Sequence, residues 1–283
     1  MNSDKIAIVI GGNGFIGSEV VSALKKNSIS CVSVSRKDCN LLAFDEVKQY
    51  FLQYKTQNLD IIFTASIVRR KNDSESALEN NILMIRNFIK ATYSHQINSF
   101  IFLSSIDVYH NNNLSLNEST KLLPNKPYAA SKLSSEIILK KAFKDKLIIL
   151  RLPGVYGKND KNGSIIGKFT ELIKNNTDLK LINKGLQYRD YLYVEDIPKV
   201  ILSLLESTFS GTFNLSTGRS LRLVEIVKII SNALGKTPSI SESVEDLSQV
   251  NIKISNKKFI DTFPNFSFTS MESGIKKYIN ELS

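Results

Sequence analysis

Tyr128 and Lys132 stand four residues apart in "PYAASK", a spacing that stacks both side chains on one face of a helix. An ammonium beneath a phenol draws the phenol's pKa down from about 10. Such a tyrosine can exchange a proton with a carbonyl or hydroxyl while hydride moves to or from a nicotinamide. Two further stretches give the pair a setting. In "FLSSIDVY" the hydroxyls of Ser104 and Ser105 can hold a substrate oxygen, and "IVIGGNGFIGSE" carries Gly11, Gly14 and Gly17 between an apolar run and an amphipathic segment. In that context the glycines are a dinucleotide-binding fingerprint. Gly11 permits a tight turn, Gly14 lets backbone approach a pyrophosphate, and Gly17 lets the helix pack on the sheet. The helix N-terminus offers free N–H groups and the positive end of its dipole.

An acidic residue that binds the adenosine ribose is expected about 20 positions beyond the glycines. "VSVSRKDCN" instead puts Ser35 and Arg36 there, with Lys37 next and Asp38 close by. That pattern suits charge-assisted contacts to a 2′-phosphate. It points to NADP(H), with NAD(H) the alternative. The expected cofactor-binding residues are Gly11, Gly14, Phe15, Ile16, Gly17, Ser35, Arg36, Asn40, Leu41, Thr64, Ala65, Tyr128, Lys132, Pro153 and Val155.

The elements that must position these residues follow from periodicity. Short apolar runs at 5–10, 30–35, 59–64, 99–105 and 147–152 alternate with helical segments. One such segment places Ile16, Val20, Val21 and Leu24 on one face, and another places Ile82, Ile85, Phe88 and Ile89. The alternation predicts an α/β fold, a Rossmann-type doubly wound parallel sheet with a smaller α/β C-terminal substrate lobe. The expected boundaries are 1–157 for the dinucleotide domain, with a return segment at about 188–216, and 158–187 plus 217–283 for the lobe.

Composition excludes several classes. A chain of 283 residues, 42% hydrophobic and 23% charged, is globular rather than fibrous or disordered. No apolar run nears the roughly 18 residues of a membrane span, and Asp4 and Lys5 interrupt the place of a signal sequence. A soluble, cytoplasmic protein without a membrane partner is the expectation. The net charge of +10 comes from scattered lysines without interleaved aromatics, so no nucleic-acid partner is expected. Two cysteines, Cys31 and Cys39, and two histidines are too few for a metal cluster, and the metal expectation is none.

Together "GGNGFIG", "SSIDVY", "YAASK", "LRLPGVYG", "RDYLYVEDI", "GTFNLSTG" and "MESGIKKYI" occur in the order of a known family. The chain resembles an extended short-chain dehydrogenase/reductase of the NAD-dependent epimerase/dehydratase family, which modifies nucleotide sugars. The resemblance implies a catalytic triad of Ser105, Tyr128 and Lys132. It also implies a substrate site of Ser105, Asp107 and Arg189, with Arg189 on the nucleotide diphosphate, and a homodimer. Departures refine the reaction. Family 4,6-dehydratases carry an Asp-Glu pair where this chain has Ile106 and Asp107, and isoleucine cannot serve as the acid. Gly154 after Pro153 resembles the form associated with reductases; Lys158 stands in place of a usual Pro, Asn40 of Asp and His110 of Gly. The function implied is NADPH-dependent reduction of a nucleotide-activated 4-keto-6-deoxy sugar for surface polysaccharide. The alternatives are an NAD-dependent nucleotide-sugar 4-epimerase and a non-catalytic dinucleotide sensor.

Overall fold

Most strands of the large sheet are runs of apolar residues short enough to cross it once, and they alternate with helices along the chain. The computed structural model describes residues 5–109, 115–160, 163–243 and 252–282. The strands are β1 (Lys5–Ile10), β2 (Cys31–Val34), β3 (Asn58–Phe63), β4 (Gln96–Ser105), β5 (Leu147–Leu152) and β6 (Gly211–Asn214), and they form one sheet in the order β2-β1-β3-β4-β5-β6. β1 runs parallel to both β2 and β3, and β3 runs parallel to β4. The first crossovers are α1 (Phe15–Lys26), α2 (Phe44–Phe51) and α3 (Glu75–Ala91), and α4 (Pro127–Phe143) precedes β5. Sheets covered by helices bury strands on both faces, which is why "LIILRL" is buried at every position.

Two helix starts have a clear local cause, and a third is left open. Ser74 caps α3 by accepting the Ala77 N–H at 3.2 Å. Pro127 opens α4, where its fixed φ and missing N–H cost nothing. Gly14 caps α1 without a side chain, leaving that helix end open.

Of the described residues, those within Met1–Val108, Leu122–Arg151 and Ile197–Phe213 form one compact unit, and those within Tyr109–Lys121, Leu152–Asp196 and Asn214–Ser283 form a second. This division differs from the expected one at 109–121, 152–157, 188–196 and 214–216. Strand pairing is the reason. Gly154–Tyr156 pairs with Tyr191–Tyr193, Tyr188–Arg189 with Leu221–Arg222, and Ser115–Leu116 with Lys253–Ile254. These short ladders draw the segments into the second unit, whose core gathers Tyr156, Tyr193, Ile226, Ile230 and Ile275. No described helix is long and apolar enough to cross a membrane.

Candidate active site

The glycine stretch forms the turn between β1 and α1. Gly11 has φ +87°, and a Cβ added there would lie 2.7 Å from the Ala65 nitrogen; one on Gly17 would lie 2.2 Å from the Gly11 carbonyl oxygen. Neither position tolerates a side chain. Thr64 closes the same edge, its hydroxyl donating to the Ile10 carbonyl at 2.9 Å. Bare backbone before an uncapped helix N-terminus, with Phe15 and Ile16 in the first turn, fits the diphosphate of a dinucleotide.

At the end of β2, the Ser35 N–H and hydroxyl both donate to Asp38 Oδ2, at 2.8 and 2.6 Å. These bonds hold the Asp38 carboxyl below its ordinary value. Arg36 and Lys37 stay exposed. No described acidic side chain pairs with Arg36. Asn40 Oδ1 accepts the Leu42 N–H at 3.3 Å, and Leu41 is buried, its carbonyl accepting from Asn87 Nδ2 at 2.9 Å.

β4 delivers Ser104 and Ser105, and alternation along a strand sends their side chains opposite ways. Ser104 turns inward and donates to Glu136 Oε1 at 2.6 Å, whereas Ser105 Oγ accepts the Asp107 N–H at 3.1 Å. The expectation that both hydroxyls hold substrate is corrected on this point: Ser104 is committed to Glu136.

α4 carries Tyr128, whose N–H donates to Asp73 Oδ1 at 2.8 Å. One turn on, Lys132 is buried and donates to the Leu103 carbonyl at 2.8 Å, with its Nζ 5.7 Å from the Tyr128 ring centroid. Burial pushes the Lys132 ammonium down to about 7, with Glu136 acting the other way. The Tyr128 phenol lies above its ordinary value, first through burial and then through the Asp107 carboxylate, while Arg69 opposes both. The expected lowering of the phenol by Lys132 is therefore not what this protein alone produces. The ammonium faces a carbonyl, and desolvation outweighs it.

Two buried features escaped the sequence reading. Glu136 receives a guanidinium fork from Arg151, Nε to Oε1 at 3.0 Å and Nη2 to Oε2 at 2.6 Å. The signal was present in "LIILRL": an arginine inside a wholly buried strand requires an acid. In the second unit, Asp190 is buried and its Oδ1 accepts the N–H and hydroxyl of Thr217 at 3.2 and 3.0 Å.

Pro153, Val155 and Arg189 also belong to the second unit. Arg189 lies in the strand Tyr188–Arg189, half-buried, and Nη1 donates to the Tyr188 carbonyl at 2.8 Å. A Cβ on Gly154 would meet the Tyr191 ring at 2.5 Å, so packing alone demands glycine there. His110 lies outside the described residues. Among the described residues no cluster of His, Cys, Asp and Glu could hold a metal ion. Burial raises both the Cys31 and Cys39 thiols, Cys39 to about 11.

A doubly wound sheet with a glycine turn after β1, a serine at the end of β4 and Tyr and Lys one turn apart on α4 defines an extended short-chain dehydrogenase/reductase. The chain belongs to the NAD dependent epimerase/dehydratase family, which it matches over residues 7–216. It is 27% identical over 265 residues to the dTDP-D-glucose 4,6-dehydratase of Dictyostelium discoideum, covering 80% of this chain and 61% of that protein. It is 27% identical over 262 residues to the dTDP-4-dehydro-6-deoxyglucose reductase of Escherichia coli, covering 81% of this chain and 82% of that protein. The fold is shared with the Thermus thermophilus UDP-glucose 4-epimerase in complex with NAD, with a TM-score of 0.80, 22% identity and 98% of each chain covered.

Proposed function

We propose that the protein is an NADPH-dependent reductase of a nucleotide-activated 4-keto-6-deoxy sugar. The observation that carries this reading is the gathering of Ser105, Tyr128 and Lys132 in the unit that also holds the glycine cradle. The cofactor, once bound there, supplies hydride to the sugar C4. Ser105 donates a hydrogen bond to the ketone oxygen, and Tyr128 delivers the proton that turns it into a hydroxyl. A phenol held above its ordinary pKa keeps that proton at neutral pH, the form a reductase needs at the start of turnover. Lys132 binds the cofactor ribose, and Arg189 holds the substrate diphosphate through its guanidinium. Ile106 leaves no acid for the elimination step of a dehydratase.

Arg36 favours NADPH, since Asp38 is bound to Ser35 and Arg36 remains exposed to meet a 2′-phosphate. A second reading, an NAD-dependent 4-epimerase, is favoured by one observation: Gly154 is explained by Tyr191 packing and so does not single out a reductase. A homodimer belongs to the same proposal, and exposed Leu83 on α3 and Ile137 on α4 offer apolar surface for it.

The deciding experiment incubates the protein with NADPH and a panel of nucleotide 4-keto-6-deoxy sugars, following nicotinamide absorbance and product mass. Loss of reduced nicotinamide with a gain of two hydrogens in the sugar supports the reductase. Tightly retained NAD with interconversion of C4 epimers would replace it by the epimerase. Arg36→Asp is expected to reverse the preference for NADPH over NADH. A charge-assisted phosphate contact is worth about 1.5–3 kcal/mol, or roughly one to two decades in affinity.

A further inference from the structure

A second charged pair adjoins the proton donor. Arg69, in the loop after β3, and Asp107, two residues beyond Ser105, form an ion pair at 3.2 Å between Nη1 and Oδ2. Both side chains keep access to solvent, at 52% and 30% exposure, so a substrate can reach the pair. The backbone N–H of Asp107 donates to Ser105 Oγ at 3.1 Å, which ties the main chain of this turn to the hydroxyl assigned to the ketone oxygen. The turn Ile106–Val108 packs against α4, the helix that carries Tyr128, and the Asp107 carboxylate itself is held by Arg69. An unmatched carboxylate at this place would repel a phenolate and compete for the Tyr128 proton. Asp107 from the turn after β4 and Arg69 from the segment between β3 and α3 act on the Tyr128 phenol, Lys132 on the same helix places its Nζ 5.7 Å from the ring centroid, and Asp73 accepts the Tyr128 backbone N–H.

We propose that Arg69 is a positioning residue for proton transfer: by pairing with Asp107 it cancels the carboxylate charge beside Tyr128 and keeps the tyrosine proton exchangeable during turnover. The opposed effects of the two side chains on the phenol agree with this assignment. The inference rests on Tyr128 being the proton donor proposed above, but its test does not require the reductase to be the right reaction.

In the ligand-free protein, the Tyr128 phenolate spectrum is obtained as the ultraviolet difference from the Tyr128→Phe variant during an alkaline titration. Arg69→Gln should move phenolate formation to higher pH and Asp107→Asn to lower pH, each by about half a unit to one unit. The double variant should return near wild type, and Arg69→Lys, which keeps the charge, should show no shift. A merely structural role for Arg69 would not give opposite shifts that cancel. Equal titrations in wild type and Arg69→Gln, or shifts of one sign in both single variants, overturn the proposal. In turnover, the pH limb that reports Tyr128 should move as the spectrum does. Absence of turnover with every 4-keto sugar would sink the reductase reading while leaving the spectral result to decide on Arg69.

Discussion

The two units each bury a carboxylate beside a residue proposed to bind ligand, and they treat it in opposite ways. In the first unit Glu136, wholly buried, is matched by the full positive charge of Arg151, with Ser104 on one of its oxygens. In the second, Asp190 follows Arg189 and is met by uncharged donors, the N–H and hydroxyl of Thr217, the Tyr191 N–H and Ser220. Burial outweighs those donors and pushes Asp190 up to about 6. A buried acid can be held by an opposite charge or can move toward neutrality. The first arrangement suits a frame under Lys132 that must not change. The second leaves a strand beside Arg189 whose stability responds to pH.

The largest effect expected from this contrast is that of Glu136→Ala. It takes the carboxylate away from the buried Arg151 guanidinium, removes the acceptor of the Ser104 hydroxyl and removes the charge that supports the Lys132 ammonium. Breaking a buried pair in this way costs about 3–5 kcal/mol. Urea denaturation should show it. A loss below about 1 kcal/mol would mean that water reaches the pair, since exposed pairs contribute only that much, and the comparison would fail. The joint replacement Glu136→Leu with Arg151→Met should recover most of the stability, because neither charge is then left alone.

How much of this was legible in the sequence differs by level. Five strands of the large sheet were, since a buried parallel sheet needs continuous apolar runs, and β1 and β5 coincide with "KIAIVI" and "LIILRL"; β6, whose "GTFN" is no apolar run, and the short helix α2 were not. Short-range spacing also conveyed the glycine turn and the placement of Tyr128 and Lys132 on one helix. Pairings between distant segments were not legible. Nothing local in "RDYLYV" says that Tyr191–Tyr193 will pair with Gly154–Tyr156 rather than return to the large sheet. The different fates of Ser104 and Ser105 depend on which face of β4 meets Glu136, a register that neighbouring serines cannot announce. The Tyr128 phenol was misjudged because spacing identifies the ammonium but not the carbonyl it faces, nor the burial that outweighs it.

A smaller effect separates the two acids by pH. Asp190 has a folded value of about 6 against an ordinary 3.8. Below about pH 4 it is neutral in both states. Between about 4 and 6 the unfolded chain releases the proton while the folded chain keeps it, so stability falls as pH rises and levels off above that window. The fall attributable to this residue is about 2–3 kcal/mol. Asp190→Asn is expected to abolish it, as the difference between wild-type and variant unfolding free energies across the window. Equal slopes in the two proteins would show that the Asp190 carboxyl is solvated, and that the units differ in name only.

The smallest effect probes how Asp190 is held. Thr217→Val keeps the β-branched shape and removes only the hydroxyl, which bonds the Asp190 carboxylate at 3.0 and 3.1 Å; the Thr217 N–H remains at 3.2 Å. The hydroxyl stabilises the charged acid, so its loss should raise the Asp190 value further and extend the pH-dependent fall to higher pH. At pH 7 the variant should lose about 1.5–3 kcal/mol, the range for one hydrogen bond to a charged group. At pH 4, where the acid is neutral, the loss should shrink toward the roughly 1 kcal/mol of an uncharged bond. This difference between the two pH values is the decisive quantity. A Thr217→Val cost that is the same at both would mean that the hydroxyl fixes the loop without sensing the charge, and the titrating character of the second unit would then rest on burial alone.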